Sequence, residues 1–175
     1  MSTATKPPDE LPPWFLHAQT YERAGVLEVQ GPGAHPTILT FFTYTTLKGT
    51  KLALSDETAW CSAFACAVME QCGITSTKSA AARSWLSWGQ PLKLPKLGCI
   101  VVLDRSDPSN KNAAHVGFYA GHIARHGSGA VYDTHMALLG GNQSNRVCTK
   151  SEPYTKVLGY RWPIVVDKPG EEYVL

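Results

Sequence analysis

The chain has 175 residues, of which 43% are apolar and 17% are charged, and its formal net charge is +2. This composition is too apolar for a disordered chain and too poor in charge for a long coiled coil. A chain of this length fits one domain, and it buries enough surface to fold without a metal or disulfides. The small charge gives no reason to expect nucleic acid as a partner, and no apolar run approaches the ~20 residues of a membrane span.

The helices are predicted in the first half of the chain. Residues 1–12 are polar and rich in proline, lack the apolar core of a secretory signal, and are expected to form a flexible arm. A first helix is predicted from Pro13 to a stop at Gly25, whereas 37–47 fits a strand or a helix equally well. Two further helices are predicted over 58–72 and 79–88.

From residue 98 onward the pattern changes to strands, which are separated by clusters of Gly, Asn, Asp and Pro. The expected strands are Cys99–Leu103, Val116–Ala120, Val131–Leu139, Arg146–Thr149 and Val157–Pro163. Helices followed by strands predict an α+β fold, with N-terminal helices packed on an antiparallel sheet of about five to six strands. We expect one domain over 13–165 and a polar C-terminal tail over 166–175.

The cysteines do not fit a disulfide framework. There are five of them, no Cys-x-x-Cys occurs, and a protein made in the cytoplasm meets a reducing compartment. Zinc is not expected either, because Cys61 and Cys72 would be about 16 Å apart along the helix and Cys66 would point roughly 140° away from Cys61. Most of the cysteines are therefore expected to be small buried hydrophobes, and no metal or cofactor is predicted.

Cys61 differs from the other cysteines because it lies in the first turn of the predicted helix over 58–72, on the buried face. The unpaired N–H groups and the positive end of a helix dipole lower the pKa of a thiol, and the thiolate is the nucleophile. The backbone N–H groups of Cys61 and Ser62 are candidates for binding the oxyanion of a tetrahedral intermediate. Taken alone, a cysteine in such a helix is more often a packing residue.

A cysteine nucleophile needs a base and a group that orients the base. His115 opens a predicted strand after a polar loop. If the strands around 116–120 and 131–141 form a hairpin about 127–129, His115 lies opposite Gly141 and next to Asn142, while Asp133 is roughly 26 Å away along the strand. The residues therefore predict a triad of Cys61, His115 and Asn142, although the histidine at the surface and a simple turn at 140–143 are the competing interpretations.

Several motifs occur in an order that resembles the bacterial and phage cell-wall hydrolases of the NlpC and CHAP type. The resemblance extends from about Trp14 to Pro163, and its motifs are Trp60-Cys61-Ser62-Ala63-Phe64, Gly98-Cys99-Ile100-Val101-Val102-Leu103, His115-Val116-Gly117-Phe118-Tyr119, Gly140-Gly141-Asn142-Gln143-Ser144 and Leu158-Gly159-Tyr160-Arg161-Trp162-Pro163. It implies a papain-like fold and cleavage of amide bonds in peptidoglycan, with Cys61 as nucleophile, His115 as base and Asn142 as orienting residue. Two features depart from the family: Cys99 stands where relatives usually carry Asp, and the connection over 121–130 is longer than usual.

The predicted function is that of a cysteine peptidase or amidase that hydrolyses an amide bond of the peptidoglycan stem or cross-bridge. Trp60, Trp85, Trp88 and Gln143 are candidates for lining the substrate groove. The enzyme is expected to need no cofactor and to reach the wall after release or injection, through a holin or a secretion system, and an immunity protein is a further expected partner. A phage lysin and an antibacterial effector fit equally, and an acyltransferase or a non-catalytic wall-binding module are the alternatives.

Overall fold

The computed structural model describes residues 11–127, 130–168 and 171–174. It contains three α-helices: α1 (Pro13–Arg23), α2 (Pro36–Phe42) and α3 (Cys61–Gln71). Three short 3₁₀ helices are Lys51–Leu54, Ala82–Ser87 and Tyr154–Lys156. The predicted arm over 1–12 lies outside the described residues except for its last two.

The strands form one large sheet and one small one. They are β1 (Gln90–Leu92), β2 (Ile100–Asp104), β3 (Ala114–Gly127), β4 (Ala130–Gly140), β5 (Cys148–Pro153), β6 (Val157–Trp162), β7 (Ile164–Lys168) and β8 (Glu171–Val174). The large antiparallel sheet has the order β1-β6-β2-β3-β4-β5, and β7 pairs with β8. The α+β class with helices before an antiparallel sheet is therefore confirmed.

Helix α3 is the centre of the core. All of its residues from Cys61 to Met69 are buried, because the helix packs against α2 on one side and against β3 of the sheet on another. The helix is therefore buried on all sides over this stretch, as is typical of a helix enclosed within the protein. The rings of Phe41, Phe64 and Phe118 stack edge to face across this interface, which fixes the start of α3 against the sheet.

Some local predictions were wrong. Residues 79–88 form only a 3₁₀ helix, Ala82–Ser87, instead of an α-helix, and the ambiguous stretch over 37–47 begins with a helix that His35 caps through its side chain. Part of the segment predicted as a polar tail over 166–175 belongs to the β7–β8 pair. Within the described residues, no helix has the length and apolar character needed to cross a membrane.

The predicted hairpin is present, and its register decides which residues meet at its end. Gly127 pairs with Ala130, so the chain turns where it was expected to. The expected register would place Phe118 opposite Leu138, but the structure pairs Phe118 with Leu139, one residue further along. Irregularities between Tyr119 and His122 and beyond Ile123 interrupt the ladder. A shift of one residue turns a side chain to the other face of a strand.

Candidate active site

Cys61 is the first residue of α3, and its side chain and backbone together are 4% exposed. The first N–H that bonds within the helix is that of Phe64, which donates to the carbonyl of Trp60. The N–H groups of Cys61 and Ser62 precede it, and these two groups and the N–H of Val116 on β3 act to lower the pKa of the Cys61 thiol. One of the three backbone N–H groups that favour the thiolate therefore belongs to the residue next to His115.

His115 lies on β3, where it pairs with Leu103 of β2, and it is 5% exposed. Its Nε2 is 3.1 Å from Oε1 of Gln143, and its Nδ1 is 3.2 Å from Nη2 of Arg105. Both ring nitrogens are thus held by side chains. Val116, whose backbone N–H acts on the Cys61 thiol, follows His115 directly in the chain. Among the described residues, the ring of His115 forms its side-chain hydrogen bonds with Gln143 and Arg105 and not with Cys61.

The hydrogen bonds of Gln143 determine where the proton of His115 lies. The Nε2 of Gln143 donates to the carbonyl of Leu138 at 3.0 Å and to the carbonyl of Cys148. The Oε1 atom must therefore face His115, and an amide oxygen only accepts hydrogen bonds. It follows that His115 carries its proton on Nε2, and that Nδ1 is the acceptor for the guanidinium of Arg105.

Burial sets the charge of both groups. Desolvation, followed by the positive charges of Arg105 and Lys150, lowers the pKa of His115 to about 4, although the bond with Gln143 acts in the opposite direction. Desolvation raises the pKa of the Cys61 thiol, and the hydrogen bond from Val116, the charge of Arg105 and the two N–H groups at the helix start offset only part of this effect. The expectation of a lowered thiol pKa was therefore wrong: the helix end acts as predicted, but loss of water outweighs it.

The prediction that Asn142 orients the histidine was also wrong. Asn142 has a φ of +56°, and its amide, in the orientation that satisfies both partners, accepts from the backbone N–H of Trp60 at 3.2 Å and donates to Glu28 at 3.3 Å. Gln143, expected to line the substrate groove, holds His115 instead. Both Asn142 and Gln143 lie beyond the end of β4 at Gly140, where the pairing with β3 has ended and the positive φ of Asn142 turns the chain.

Two glycines allow this turn to approach the site. A Cβ atom on Gly140 would lie 3.3 Å from Nε2 of His115. A Cβ atom on Gly141 would lie 2.6 Å from both the Phe64 Cβ and the Trp60 ring, at the start of α3. The Gly140-Gly141 pair therefore serves close packing between the end of β4, the helix and the histidine.

The tryptophans do not form a groove beside the histidine. Trp60 and Trp85 are both fully buried, and their indole N–H groups donate to Glu28 and to the Ser62 hydroxyl. Trp88 is half-buried, packs on Trp85 and donates to the carbonyl of Thr75. Their predicted role in lining the substrate groove was wrong for Trp60 and Trp85, since a ring without exposed surface cannot contact a substrate.

Cys99, His17 and His135 take structural positions. Cys99 is fully buried, and burial raises the pKa of its thiol to about 12, so it is an inert packing residue. His17 bonds to Gln71 and His135 to Thr134. Over the residues that the structure describes, no three His, Cys, Asp or Glu side chains gather so that they could hold a metal ion.

A cavity of about 400 Å³ opens beside His115. It is lined by residues of β2, β3 and β5, by the turn after β4 and by the 3₁₀ helix at 154–156: Leu103, Asp104, Arg105, His115, Asn142, Gln143, Ser144, Asn145, Lys150, Glu152 and Lys156. His115 therefore faces the cavity, whereas Cys61 is not among the residues that line it.

Sequence reasoning missed Arg105 and Glu28. Arg105 follows directly on β2, in which Asp104 pairs with Ala114. The antiparallel pairing of the strands on either side of the loop places Arg105 opposite Ala113 and, by strand alternation, on the same face as His115, which pairs with Leu103. Glu28 lies in a loop before α2, and no pattern in the sequence links it to Trp60 or Asn142. Comparisons of the chain with protein-family models and with curated proteins find no match in either.

Proposed function

We propose that the protein is a cysteine peptidase or amidase of papain-like type that hydrolyses an amide bond in peptidoglycan. One observation carries the proposal: the thiol of Cys61 lies at a helix N-terminus against the backbone of the strand that carries His115. The side chain of Gln143 fixes the proton of His115 on Nε2, so that Nδ1, which accepts a hydrogen bond from Arg105, is the ring nitrogen that can act as the base. The choice of peptidoglycan rests on the resemblance of the motifs to wall hydrolases.

In the proposed reaction both groups begin neutral. Nδ1 of His115 takes the proton of the Cys61 thiol as the sulfur attacks the carbonyl carbon of the substrate amide. The oxyanion that forms accepts hydrogen bonds from the N–H groups of Cys61 and Ser62. His115 then gives its Nδ1 proton to the leaving nitrogen as the C–N bond breaks, which leaves a thioester on Cys61.

Water completes the cycle. Nδ1 of His115 removes a proton from a water molecule that attacks the thioester carbonyl, and the proton returns to the sulfur as the acid leaves. Throughout these steps the second proton stays on Nε2 of His115, which donates it in a hydrogen bond to Oε1 of Gln143. Neither a metal nor an organic cofactor takes part in the proposed steps.

The biological setting is part of the same proposal. A wall hydrolase made in the cytoplasm acts after a holin releases it or a secretion system injects it, and the injected form is expected to be paired with an immunity protein. Genes next to this one that encode a holin or an immunity protein would distinguish the lysin from the effector.

The test is mass analysis of muropeptides released from purified cell walls. The wild-type protein is expected to release fragments that carry a new amine and a new carboxylic acid, and the position of the new ends identifies the bond. The Cys61→Ala protein serves as the matched control. Walls left intact by the wild-type protein would refute the function, and products in which the acyl group is joined to another amine would indicate an acyltransferase.

A further inference from the structure

The charges around the cavity beside His115 are not balanced. Asp104 pairs with Arg83 at 3.4 Å, and Glu152 pairs with Lys156 at 3.5 Å. Arg105 and Lys150 line the same cavity, and neither forms an ion pair among the described residues. Two cations without a carboxylate partner in one concave site are an arrangement suited to binding an anion.

Arg105 also occupies a position that the proposed reaction needs. Its Nη2 donates to Nδ1 of His115 at 3.2 Å, which is the nitrogen that must accept the thiol proton. Arg105 is an exposed residue, and its guanidinium forms this hydrogen bond with His115. A carboxylate is a stronger acceptor for a guanidinium than a neutral imidazole, because both partners are charged and the bond is often bidentate.

Lys150 is the second cation that lines the cavity, and its position also suits the binding of an anion. It extends from β5, is half-buried, and donates to the hydroxyl of Ser144 in the turn after β4. This contact holds the ammonium group near the turn that also carries Gln143. Positive charge therefore lies near His115 at two places, after the end of β2 at Arg105 and on β5 at Lys150.

We propose that Arg105 and Lys150 form a carboxylate-binding subsite, and that a substrate carboxylate bound there draws Arg105 away from Nδ1 of His115. The inference rests on the proposed function and names its substrate class: a peptide with a free carboxylate close to the amide that is cut. The substrate thereby completes the catalytic base. Without such a carboxylate, the guanidinium stays on Nδ1 and the base is blocked.

The first experiment uses a synthetic stem peptide and its amidated forms. In one form a carboxamide replaces the α-carboxylate of the D-glutamyl residue. In the other form a carboxamide replaces the C-terminal carboxylate. We expect kcat/KM of the wild-type protein to fall about tenfold for one amidated form, which identifies the carboxylate that binds. Arg105→Ala and Lys150→Ala are expected to lose this preference, and Arg105→Ala is expected to cut the affected amidated peptide faster than the wild type.

The matched controls are exposed cations that do not line the cavity. Arg23→Ala and Lys93→Ala are expected to keep the wild-type preference. Thermal melting checks that each variant is folded. An Arg105→Ala protein that cuts the peptides but keeps the preference for the free carboxylate would overturn the inference, and so would a wild-type protein that does not distinguish the three peptides.

The second experiment does not depend on hydrolysis. Alkylation of Cys61 by iodoacetate and by iodoacetamide is followed on the peptide that contains Cys61, so that the more exposed Cys72 and Cys148 do not interfere. The ratio of the two rates is expected to fall about tenfold in Arg105→Ala. An unchanged ratio contradicts the subsite even if walls are cut, whereas a changed ratio in a protein that cuts no peptide supports the subsite and refutes the proposed function.

Discussion

The assignment of Gln143, and not Asn142, as the residue that orients His115 can be tested by comparing two single substitutions. Gln143→Ala removes the bond to Nε2 of His115 and the two bonds to the carbonyls of Leu138 and Cys148. All of these groups lie in or beside the buried site, and each polar group left unpaired there costs about 1–3 kcal/mol. We expect a loss of stability of about 2–5 kcal/mol.

The effect on catalysis is expected to be larger than the effect on binding. Without Gln143 the imidazole can turn, or it can carry its proton on Nδ1, where it no longer serves as a base. A displacement of about 1 Å at a reacting group costs about 100-fold in rate, so kcat is expected to fall by about that factor while KM changes little. Steady-state kinetics with a synthetic stem peptide measure both values.

Asn142→Gly is the matched comparison. Glycine accepts the φ of +56° without strain, so this substitution removes only the bonds to Trp60 and Glu28. We expect lower stability and a kcat within a few-fold of the wild type. If Asn142→Gly loses kcat as strongly as Gln143→Ala, or if Gln143→Ala remains fully active, the assignment is wrong.

Three further predictions address the nucleophile, the turn and the histidine. Cys61→Ala is expected to abolish hydrolysis and to leave the melting temperature within a few degrees of the wild type, since only one sulfur atom is lost; a marked drop in melting temperature would indicate a structural role. Gly141→Ala is expected to lower the melting temperature strongly, because its Cβ would lie 2.6 Å from Phe64 and the Trp60 ring, and a stable variant would contradict the close packing. The pKa of His115, lowered to about 4, means that the unfolded chain binds a proton before the folded one as the pH falls. Stability is therefore expected to decrease between about pH 6.5 and pH 4, by up to about 3 kcal/mol, whereas His115→Gln should show a smaller slope in urea unfolding. In the pH profile of the proposed hydrolysis, kcat/KM is expected to fall on the acid side near pH 4. A fall that begins near pH 6.5 would contradict the lowered pKa of His115.

The helix start at Cys61 and the strand start at His115 could be predicted from sequence because each depends on local pattern. Apolar spacing and a terminal glycine indicate the helix that begins near Cys61. A short run of Val, Phe and Tyr after a polar loop indicates the strand that His115 opens. The helix predicted over 58–72 spans Cys61–Gln71, and the strand predicted from Val116 begins two residues earlier, at Ala114. The end of this strand was not predicted, since it continues to Gly127 and not to Ala120.

The partner of His115 could not be predicted because it depends on the path of the chain after β4 ends at Gly140. Strand register, continued from the pair of Phe118 and Leu139, would place Asn142 opposite His115. The backbone turns at Asn142 with a positive φ instead, and Gln143 bonds to the histidine, which alternating hydrophobicity does not show. The role of Arg105 was missed for a related reason, since it stands in an exposed loop whose return to His115 is set by the pairing of β2 with β3.

The charge state of the site could not be read from the sequence either. Position at a helix N-terminus is a local property, and it favours a thiolate at Cys61. Burial is a property of the whole fold, and it raises the pKa of the Cys61 thiol and lowers the pKa of His115. The outcome depends on which effect is larger, and that requires the packing of α3 against the sheet.

The central claim is that Cys61 attacks the substrate and carries the acyl group. The direct measurement is to quench the protein in acid during turnover of a synthetic stem peptide and to determine the mass of the peptide that contains Cys61. We predict a mass increase equal to that of the acyl fragment, on Cys61 and not on Cys72 or Cys148, which disappears when the substrate is exhausted. Continued hydrolysis of the peptide by the Cys61→Ala protein at the wild-type rate would contradict the account.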